Sequence, residues 1–388
     1  MFDGIDNQLL GIVIPTVIAE WGVPRSAFAP VVSLGYVGMM IGGAAAGLAG
    51  DRFGRRTALL GSMVLFGVMT LAAALVDSIA PFAILRLLAG MGLGGALPNA
   101  AALAAEYVPA PMRPVAVTIT IVCVPLGGTL AGVLGIQALP LLGWRMLFVI
   151  GGVAPIVAAA VMRWLLPESP QFVRSPAPSA GRLSFASLFG REFRRDTAAL
   201  WVSFFSCLLS VYLGFAWLTT LLRDAGFDTA TANTGITVFN LGGVAGALLC
   251  GVAISRFGSR ASMLAMTAVA VSGAIVLALM PVSPAASTVP LIAMLTLLGA
   301  AINGVQVAMY VLAAHVYPTA IRATGVGTAV AFGRIGAVLT GYVGTWAIDA
   351  GGMTSYFGVV ALMMLVTFGS LAAVSRHVPA RRELTSQA

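Results

Sequence analysis

Long apolar runs alternate with short polar connections along the whole chain. An α-helix of about 20 residues crosses the ~30 Å hydrocarbon core of a bilayer, whereas the strands of membrane barrels appear as ~10-residue alternating segments. The pattern therefore predicts an all-α polytopic membrane protein with twelve transmembrane helices. Their ranges are roughly 1–20, 28–49, 57–76, 80–105, 115–139, 144–166, 197–221, 231–254, 261–281, 289–314, 324–347 and 354–374.

One connection is much longer than the others. Residues 167–196, PESPQFVRSPAPSAGRLSFASLFGREFRRD, are rich in Pro, Ser and Arg and separate six helices from six. We therefore predict an N-terminal six-helix bundle at 1–166, a linker at 167–196, a C-terminal six-helix bundle at 197–374 and a tail at 375–388.

Composition and charge agree with a membrane protein and orient it. Hydrophobic residues make up 59% of the chain and charged residues 9%, whereas a soluble domain is about 25% charged. All 21 basic residues are arginines. With even-numbered connections in the cytoplasm, 15 arginines lie on that side, and only Arg25, Arg145 and Arg223 lie on the other. This bias predicts that the linker and both termini are cytoplasmic.

The remaining charge and sulfur features predict no further chemistry. The net charge of +8 comes from arginines scattered over separate loops, which does not form a nucleic-acid surface. Cys123, Cys207 and Cys250 all lie in apolar spans, so we expect core residues and neither a disulfide nor a metal site. The histidines are His315 and His377, and no nucleophile stands beside a base, so no enzyme is predicted. A carrier-derived receptor is a further class, but the short tail leaves no room for a signalling domain.

The two halves of the chain are copies of one another. At an offset of 204 residues, DRFGRR at 51–56 aligns with SRFGSR at 255–260. At an offset of 209, LAAEYVPAPMR at 103–113 aligns with LAAHVYPTAIR at 312–322. Glycines follow the same offsets, such as Gly38 with Gly242 and Gly90 with Gly299. Two parallel six-helix repeats are typical of secondary transporters that bind substrate at mid-membrane between the halves.

Several motifs resemble those of a known family. GDRFGRR after the second span, SRFGSR after the eighth, RLLAGMGLGG in the fourth and PESP after the sixth resemble the major facilitator superfamily, over essentially the whole chain. More narrowly, DGID in the first helix and YPTAIRATGVGTAVAFGRIGAVLTG at 317–341 resemble the aromatic acid:proton symporters. Carriers of niacin, other organic ions and sugars share parts of these motifs.

The resemblance implies a function. It indicates a proton-coupled secondary transporter of the cytoplasmic (inner) membrane that imports a small organic acid anion, an aromatic carboxylate in the first instance, by alternating access. The two six-helix bundles would rock about the membrane-embedded charges. A monomer without a cofactor is expected, with the proton as coupling ion. Proton antiport that exports drugs or metabolites stays open as an alternative, as does a related carrier for niacin, other organic ions or sugars.

The internal repeat also bears on the first helix. The seventh span begins near residue 197, and its partner at offset 204 would begin near position −7. By this template the first helix lacks roughly two turns, which indicates a misassigned start or a truncated sequence, with Asp3 and Asp6 near the membrane midplane. The alternative is a short helix with Asp3 as its N-cap.

Ionisable residues inside the predicted spans are candidate functional groups, because a bilayer interior disfavours charge. Asp3 and Asp6 lie one turn apart on the first helix. Burial disfavours the charged form of a carboxyl, and a neighbouring carboxylate disfavours it further, so the pair suits proton coupling; a structural hydrogen bond to Asn7, Gln8 or a facing helix is the alternative. Arg86 is a candidate substrate-binding residue, and it either pairs with an aspartate or supports close helix packing. Arg163, one turn from a loop, is expected to reach the interface.

Arg334 is the most isolated of these charges. It lies about ten residues into the eleventh span, and its repeat partner is Pro125. A guanidinium can bind a carboxylate through two parallel hydrogen bonds, and the resemblance favours a substrate anchor over an internal ion pair. The candidate aromatic linings of a ring-acid site are Tyr212, Phe215, Trp217, Tyr310 and Phe332, and core packing is the alternative for each.

Charged residues in the loops resemble the superfamily's cytoplasmic gate. In the first half these residues are Asp51, Arg52, Arg55, Arg56, Glu106 and Arg113, and in the second half they are Arg256, Arg260 and Arg322. The second half departs from the pattern, because Ser255 stands in the place of Asp51 and His315 in the place of Glu106. We therefore expect the second latch to be weaker or sensitive to pH near neutrality, with a helix cap as the alternative for His315.

Overall fold

The computed structural model describes residues 1–109, 112–168, 188–190, 192–280, 288–318 and 321–380, without the side chains of residues 51, 113–115, 117, 118 and 323. All regular structure in this part of the chain is helical. The chain divides into two compact units, Met1–Ala180 and Gly181–Ala388. The division falls within the predicted linker at 167–196.

The first unit contains six long helices. A short 3₁₀ turn at Arg25–Ala27 precedes the second of them. The helices are α1 (Phe2–Trp21), α2 (Phe28–Phe53), α3 (Arg55–Ala73), α4 (Ile79–Glu106), α5 (Arg113–Gln137) and α6 (Leu139–Leu165).

The second unit repeats this order. Its helices are α7 (Arg194–Asp224), α8 (Thr229–Phe257), α9 (Ser259–Leu279), α10 (Thr288–Val316) and α11 (Arg322–Ala373). Non-helical backbone at Gly351 and Gly352 breaks α11 into two segments, which correspond to the predicted eleventh and twelfth spans. Counted in this way, all twelve predicted helices are present.

Ten helical stretches of the described residues are long and apolar enough to cross a membrane, with α11 counted once. Helix α1 is not among these ten, and it carries three acidic residues, Asp3, Asp6 and Glu20. The protein is therefore a multi-pass helical membrane protein, and its first helix is the one with the most acidic side chains in an apolar setting.

The sequence repeat corresponds to a repeat of helix contacts. In the first unit α2 crosses α4 so closely that a Cβ on Gly38 would meet the Leu87 carbonyl oxygen at 2.0 Å. In the second unit a Cβ on Gly242 would meet the Thr296 carbonyl oxygen at 2.2 Å. Both partners follow the sequence offsets, 204 for the glycines and 209 for the carbonyls. Small residues at such crossings let helix backbones approach, so the repeated glycines fix the same packing twice.

Candidate functional site

Asp6 lies in the interior of the first unit and is held by two partners. Its side chain is 2% exposed, and that of Arg86 is 4% exposed. Arg86 Nη2 donates to Asp6 Oδ2 at 2.6 Å, and Thr70 Oγ1 donates to Asp6 Oδ1 at 2.7 Å. Three helices, α1, α3 and α4, therefore meet at one carboxylate, and each of its oxygens accepts one hydrogen bond. The structure thus places Arg86 in an ion pair with an aspartate.

Close packing and an aromatic ring position this pair. Gly4, less than one turn before Asp6, brings α1 onto α5, where a Cβ would meet the Val124 carbonyl oxygen at 1.9 Å. The guanidinium of Arg86 lies over the Phe148 ring from α6, 5.5 Å from its centroid. A cation against the ring face gains electrostatic attraction that helps to offset its desolvation. The pair is therefore enclosed by protein on several sides.

A small cavity of ≈ 30 Å³ adjoins the ion pair. This volume is enough for one or two water molecules, and it is well below the ~150 Å³ of an apolar cavity that binds benzene. The cavity is lined by α1, α2 and α4, and its polar lining residues are Asp6, Asn7, Tyr36 and Arg86. Within the first unit the pair is therefore accessible to something the size of water and too confined for a ring.

The two aspartates have different surroundings. Asp3 is half-buried and accepts a hydrogen bond from Asn7 Nδ2 at 3.1 Å, and it has a further interaction besides this one. The predicted bond to Asn7 is therefore present at Asp3, whereas Asp6 holds the cation. The carboxylates that sequence reasoning treated as one pair are geometrically distinct.

Arg334 differs from Arg86 in having no ion-pair or hydrogen-bond partner among the described residues. It is half-buried on the first segment of α11, whose Gly333 and Gly336 pack against α7. The apolar stripe on the same helix is centred about 110° around the helix from Arg334 at 100° per residue. That stripe consists of Ile335, Leu339, Tyr342 and Trp346, which are 40% to 62% exposed. Arg334 therefore lies on the flank between the packed face and the exposed apolar face.

The aromatic candidates divide into half-buried and core residues. Tyr212, Tyr310 and Phe332 are half-buried; Phe332 stacks on Trp201 with ring centroids 5.0 Å apart. Tyr310 packs edge-on against a ring of α7, and Tyr212 has a neighbouring aromatic ring as well. Their side chains have surface available beyond these contacts.

Trp217 and Phe215 are core residues of the second unit instead. Trp217 is completely buried, and its Nε1 donates to the Thr340 carbonyl oxygen at 3.1 Å. Phe215 is 4% exposed and lies edge-on to Phe239. For these two residues the structure therefore supports core packing, the alternative to a lining role, because the sequence of one helix does not show which of its aromatic residues face a neighbouring helix.

The loop charges of the first unit form a connected network at one end, which we call the arginine-rich end (Arg52, Arg55, Arg56). Arg55 pairs with Glu106 on α4. The guanidinium of Arg56 donates to the backbone carbonyl of Arg163 on α6. Arg52 lies instead over the ring of Phe53, 5.3 Å from its centroid. Asp51 and Arg113, predicted in the same network, have side chains outside the described part.

Sequence reasoning assigned no role to Glu168, which completes this network. Its Oε1 accepts the backbone N–H of Arg56 at 2.9 Å, at the first turn of α3. Gly54, with φ of 95°, makes room for the carboxylate, because a Cβ there would meet Glu168 Oε2 at 2.4 Å. An anion at a helix N-terminus satisfies free N–H groups and the helix dipole. The PESP motif was the available signal, since Glu168 is its acidic residue.

In the second unit, the segment after α11 makes the contact that corresponds to the one between Glu168 and the start of α3. This C-terminal strap (residues 375–378) binds the start of α9: Val378 N donates to Ser259 Oγ at 2.8 Å, and Ser259 N donates to the Val378 carbonyl at 2.9 Å. His377 Nδ1 lies 3.1 Å from Ser259 Oγ. At offset 209, His377 is the repeat partner of Glu168.

The other predicted residues of the second latch make separate contacts. Arg256 lies over the Phe257 ring, 5.4 Å from its centroid, as Arg52 does over Phe53. Arg322 Nε donates to the Tyr317 carbonyl at 3.3 Å. His315 is exposed at the end of α10. The histidine that makes buried contacts at this end is His377, which sequence reasoning left without a role.

We expect the second unit to lose stability in mild acid through His377. Burial, chiefly, and the nearby charge of Arg260 lower the pKa of His377, against the opposing effect of Asp196 and two backbone carbonyls. The unfolded chain therefore binds this proton more readily than the folded one. The contribution to stability is complete above the unfolded pKa of about 6.5 and is lost as pH falls below it towards the lowered pKa. His377→Asn should flatten the decline in melting temperature between pH 8 and 5.5.

The control for this measurement is His315→Asn, since His315 is exposed and should leave the decline unchanged. Equal pH dependence in wild type and His377→Asn would contradict the expectation.

Comparison with known proteins places these features in a family. A sequence profile of the Major Facilitator Superfamily matches residues 1–282 and 199–387. The gallate transporter of Pseudomonas putida is 32% identical over 99% of this chain and 91% of its own length. The 4-hydroxybenzoate transporter PcaK of Pseudomonas aeruginosa is 34% identical over 90% of this chain and 84% of its own. The 3-(3-hydroxy-phenyl)propionate transporter of Escherichia coli is 32% identical over 91% and 88%.

Solved structures agree at the level of the fold. A crystal structure of a D-xylose-proton symporter has a TM-score of 0.75 at 18% identity and covers 98% of this chain and 96% of its own. The partially occluded inward-open xylose transporter XylE from E. coli scores 0.78 at 16% identity, covering 97% and 95%. With two repeated six-helix halves, a profile match along the chain and relatives above 30% identity, the chain belongs to the Major Facilitator Superfamily.

Proposed function

We propose that the protein imports a small aromatic carboxylate together with a proton. The observation that carries the proposal is the buried Asp6–Arg86 ion pair, an anion and a cation enclosed in an apolar helical unit. The relatives named for gallate, 4-hydroxybenzoate and 3-(3-hydroxy-phenyl)propionate transport supply the substrate class. A hydroxylated ring acid carries one carboxylate to bind a guanidinium and one flat apolar body for aromatic side chains.

The charges inside the helices account for coupling. The four charged residues assigned to substrate or proton binding, Asp3, Asp6, Arg86 and Arg334, sum to zero formal charge. An anionic substrate bound alone would leave one uncompensated negative charge in a poorly solvated interior, which is strongly disfavoured. One proton taken up by an aspartate with each anion restores neutrality. The coupling ratio of one proton to one carboxylate follows from this balance.

The surroundings of each residue suggest which one binds substrate and which one binds the proton. Arg334, which has no ion-pair partner in the described chain, binds the substrate carboxylate, and Tyr212, Tyr310 and Phe332 pack against the ring. Asp6 takes the proton, which releases Arg86 from its charged partner. Asp3 takes part as the second carboxyl group of α1.

The arginine distribution supports one orientation of the proposed carrier. The arginine-rich end, the strap and both termini face the cytoplasm of a bacterial cell, and the helices span its inner membrane, because positive charge is retained on that side. A monomer is sufficient, since both repeats lie on one chain. The pair of networks at Arg55–Glu106 and Ser259–Val378 acts as the cytoplasmic gate in this scheme.

Uptake into proteoliposomes tests the function and its coupling ratio together. At one proton per monoanion the transported charge is zero, so each pH unit of gradient, acid outside, should support about tenfold accumulation of 4-hydroxybenzoate or gallate. A membrane potential should add nothing. An electrogenic carrier would instead change accumulation about 50-fold per 100 mV, from ~2.3 kcal/mol per charge.

The controls use ionophores and the reversed gradient. Valinomycin with potassium sets the potential without a pH gradient, and nigericin removes the pH gradient. Export by proton antiport predicts the reverse dependence, with accumulation driven by an alkaline exterior. Either that result, or accumulation that follows the potential alone, would contradict the proposed symport.

A further inference from the structure

Thr70 is a third polar residue that contacts the buried Asp6–Arg86 ion pair. Its side chain is fully buried on α3, and its hydroxyl donates to Asp6 Oδ1 at 2.7 Å, on the oxygen that does not face Arg86. The two partners therefore divide the carboxylate between them. The sequence gives no motif for such a threonine, since hydroxyl residues in apolar helices usually bond to their own backbone.

The internal repeat shows that the fold does not require this hydroxyl. At the offsets established above, Thr70 corresponds to Ala274, Asp6 to Ser210 and Arg86 to Leu295. Ala274 is fully buried. The second unit thus packs the same three positions with small or apolar side chains. At these three positions the two charges and the threonine occur together in the first unit, and the second unit has neither charge nor a threonine there, while its Ser210 bonds to its own helix.

The aromatic neighbour behaves in the opposite way. Phe148, beneath Arg86, corresponds to Phe357, which is also a buried phenylalanine. Ser210, Leu295 and Phe357 line one cavity of ≈ 10 Å³ in the second unit. The packing residue, Phe148, is the same in both repeats, whereas Asp6, Arg86 and Thr70 are all replaced in the second. The phenylalanine therefore belongs to the shared fold, and the three polar residues are specific to the first unit.

Proton uptake gives the hydroxyl a specific task. A guanidinium can only donate hydrogen bonds, whereas a hydroxyl has one donor and two acceptor lone pairs. When a proton from water forms an O–H bond on Asp6 Oδ1, the Thr70 hydroxyl can turn and accept it. Its own hydrogen then has the Phe66 carbonyl one turn earlier as acceptor, the bond that Thr267 makes to Met263 at 2.7 Å. No hydrogen bond is lost, and Oδ2 still faces Arg86.

We propose that Thr70 is a positioning residue that lets Asp6 take up its coupling proton without leaving a buried polar group unpartnered. This rests on the proposed function, because it assigns the proton to Asp6. The titratable side chains that line the adjoining cavity with Asp6 are Arg86 from α4 and Tyr36 from α2, and Asp3 lies one turn earlier on α1. Helix α6 contributes only an aromatic ring there.

The test compares net uptake with exchange. Net uptake driven by a pH gradient requires Asp6 to gain and lose its proton in each cycle, whereas exchange of labelled for unlabelled substrate at acid pH can proceed with Asp6 protonated throughout. We expect Thr70→Val to lower net uptake at least tenfold, with its pH profile displaced, and exchange to stay within about twofold of wild type. Thr70→Ser, which keeps the hydroxyl, should restore uptake and profile.

The matched control is Thr267→Val on α9, a buried threonine whose hydroxyl donates to the Met263 carbonyl of its own helix. It should retain both activities. Unchanged net uptake and pH profile in Thr70→Val would overturn the proposal, and so would a parallel fall in uptake, exchange and melting temperature, which would mean a structural role. Failure of the wild type to respond to a pH gradient would instead refute the proposed function.

Discussion

Asp6→Asn is expected to abolish proton-driven uptake and to lower the melting temperature of the protein at the same time. The asparagine amide cannot take up a proton in the pH range of an uptake assay, so net uptake should fall by at least 100-fold. Removal of the carboxylate also leaves Arg86, 4% exposed, as a buried cation without its ion partner. Breaking a buried ion pair from one side costs about 3–5 kcal/mol. The single variant therefore confounds loss of function with loss of stability.

The internal repeat supplies a variant that separates the two effects. Asp6→Ser combined with Arg86→Leu installs the residues of the second unit, Ser210 and Leu295, at the corresponding positions. Replacement of a buried ion pair by well-packed neutral residues is often neutral or stabilising by about 1–4 kcal/mol. We expect this double variant to melt at or above the wild-type temperature and still to show no proton-driven uptake.

Melting temperatures in detergent and uptake into proteoliposomes, measured on the same preparations, check both parts. Arg86→Leu alone is the second single variant, and it should resemble Asp6→Asn in stability because it leaves the carboxylate without its cation. If the double variant transports normally, the pair has no role in coupling. If it melts as low as the single variants, the second unit does not provide the template that its sequence indicates.

Much of the fold could be predicted from the sequence because membrane helices follow local rules. Apolar length set the helix positions, and the glycine offsets identified Gly38 and Gly242 as equivalent before any contact was known. The structure then showed the same backbone approach at both. Local patterns were less informative at Gly351 and Gly352. They predicted a connection between two separate helices, whereas the structure has a kink between two segments of α11.

The side-chain partners could not be predicted in the same way. The contacts of Asp6 with Arg86 and Thr70 depend on how α1, α3 and α4 are rotated about their axes. The partners lie 64 and 80 positions from Asp6 in the sequence, so no local pattern links them. Whether Trp217 lines a site or packs in the core could not be decided from the sequence for the same reason. A usable signal did exist in the repeat: a polar residue whose partner is apolar, as Thr70 against Ala274, marks an addition to the scaffold.

The histidines illustrate a second limit. His315 drew attention because it aligns with Glu106 in a known motif, yet it is exposed, while His377 sits against Ser259. The same offset aligns His377 with Glu168, so the repeat carried the information. The motif at 312–322 contains His315 but ends before the segment that follows α11, so it gave no signal for His377.

Arg334→Gln is expected to weaken binding of ring acids and to leave the fold intact, the opposite stability result from Asp6→Asn. In the described part of the chain Arg334 has no ion-pair partner to lose, and substitutions at such positions usually change stability by less than about 0.5 kcal/mol. A charge-assisted hydrogen bond contributes about 1.5–3 kcal/mol. Its loss should weaken binding by about 10- to 150-fold.

The planar shape of the guanidinium predicts an order of binding among variants of Arg334. Arg334→Lys retains the charge but not the planar pair of donors that matches a carboxylate. We expect it to bind better than Arg334→Gln and worse than wild type. Thermal-shift titrations with 4-hydroxybenzoate, gallate and the uncharged methyl ester of 4-hydroxybenzoate measure this order. The ester should bind all three proteins equally weakly, because it offers no anion.

Arg163→Gln is the matched control for these titrations. Arg163 is likewise an arginine inside a predicted span, but its side chain is exposed, and it is the backbone carbonyl of Arg163 that accepts a hydrogen bond from Arg56. It should bind ring acids as wild type does. If Arg334→Gln binds as tightly as this control, the substrate carboxylate has another partner, and Arg86, whose partner Asp6 is uncharged once protonated, becomes the guanidinium to test next. If Arg334→Gln instead unfolds, Arg334 is a structural residue, and the flank of α11 on which it lies is packed in the folded state.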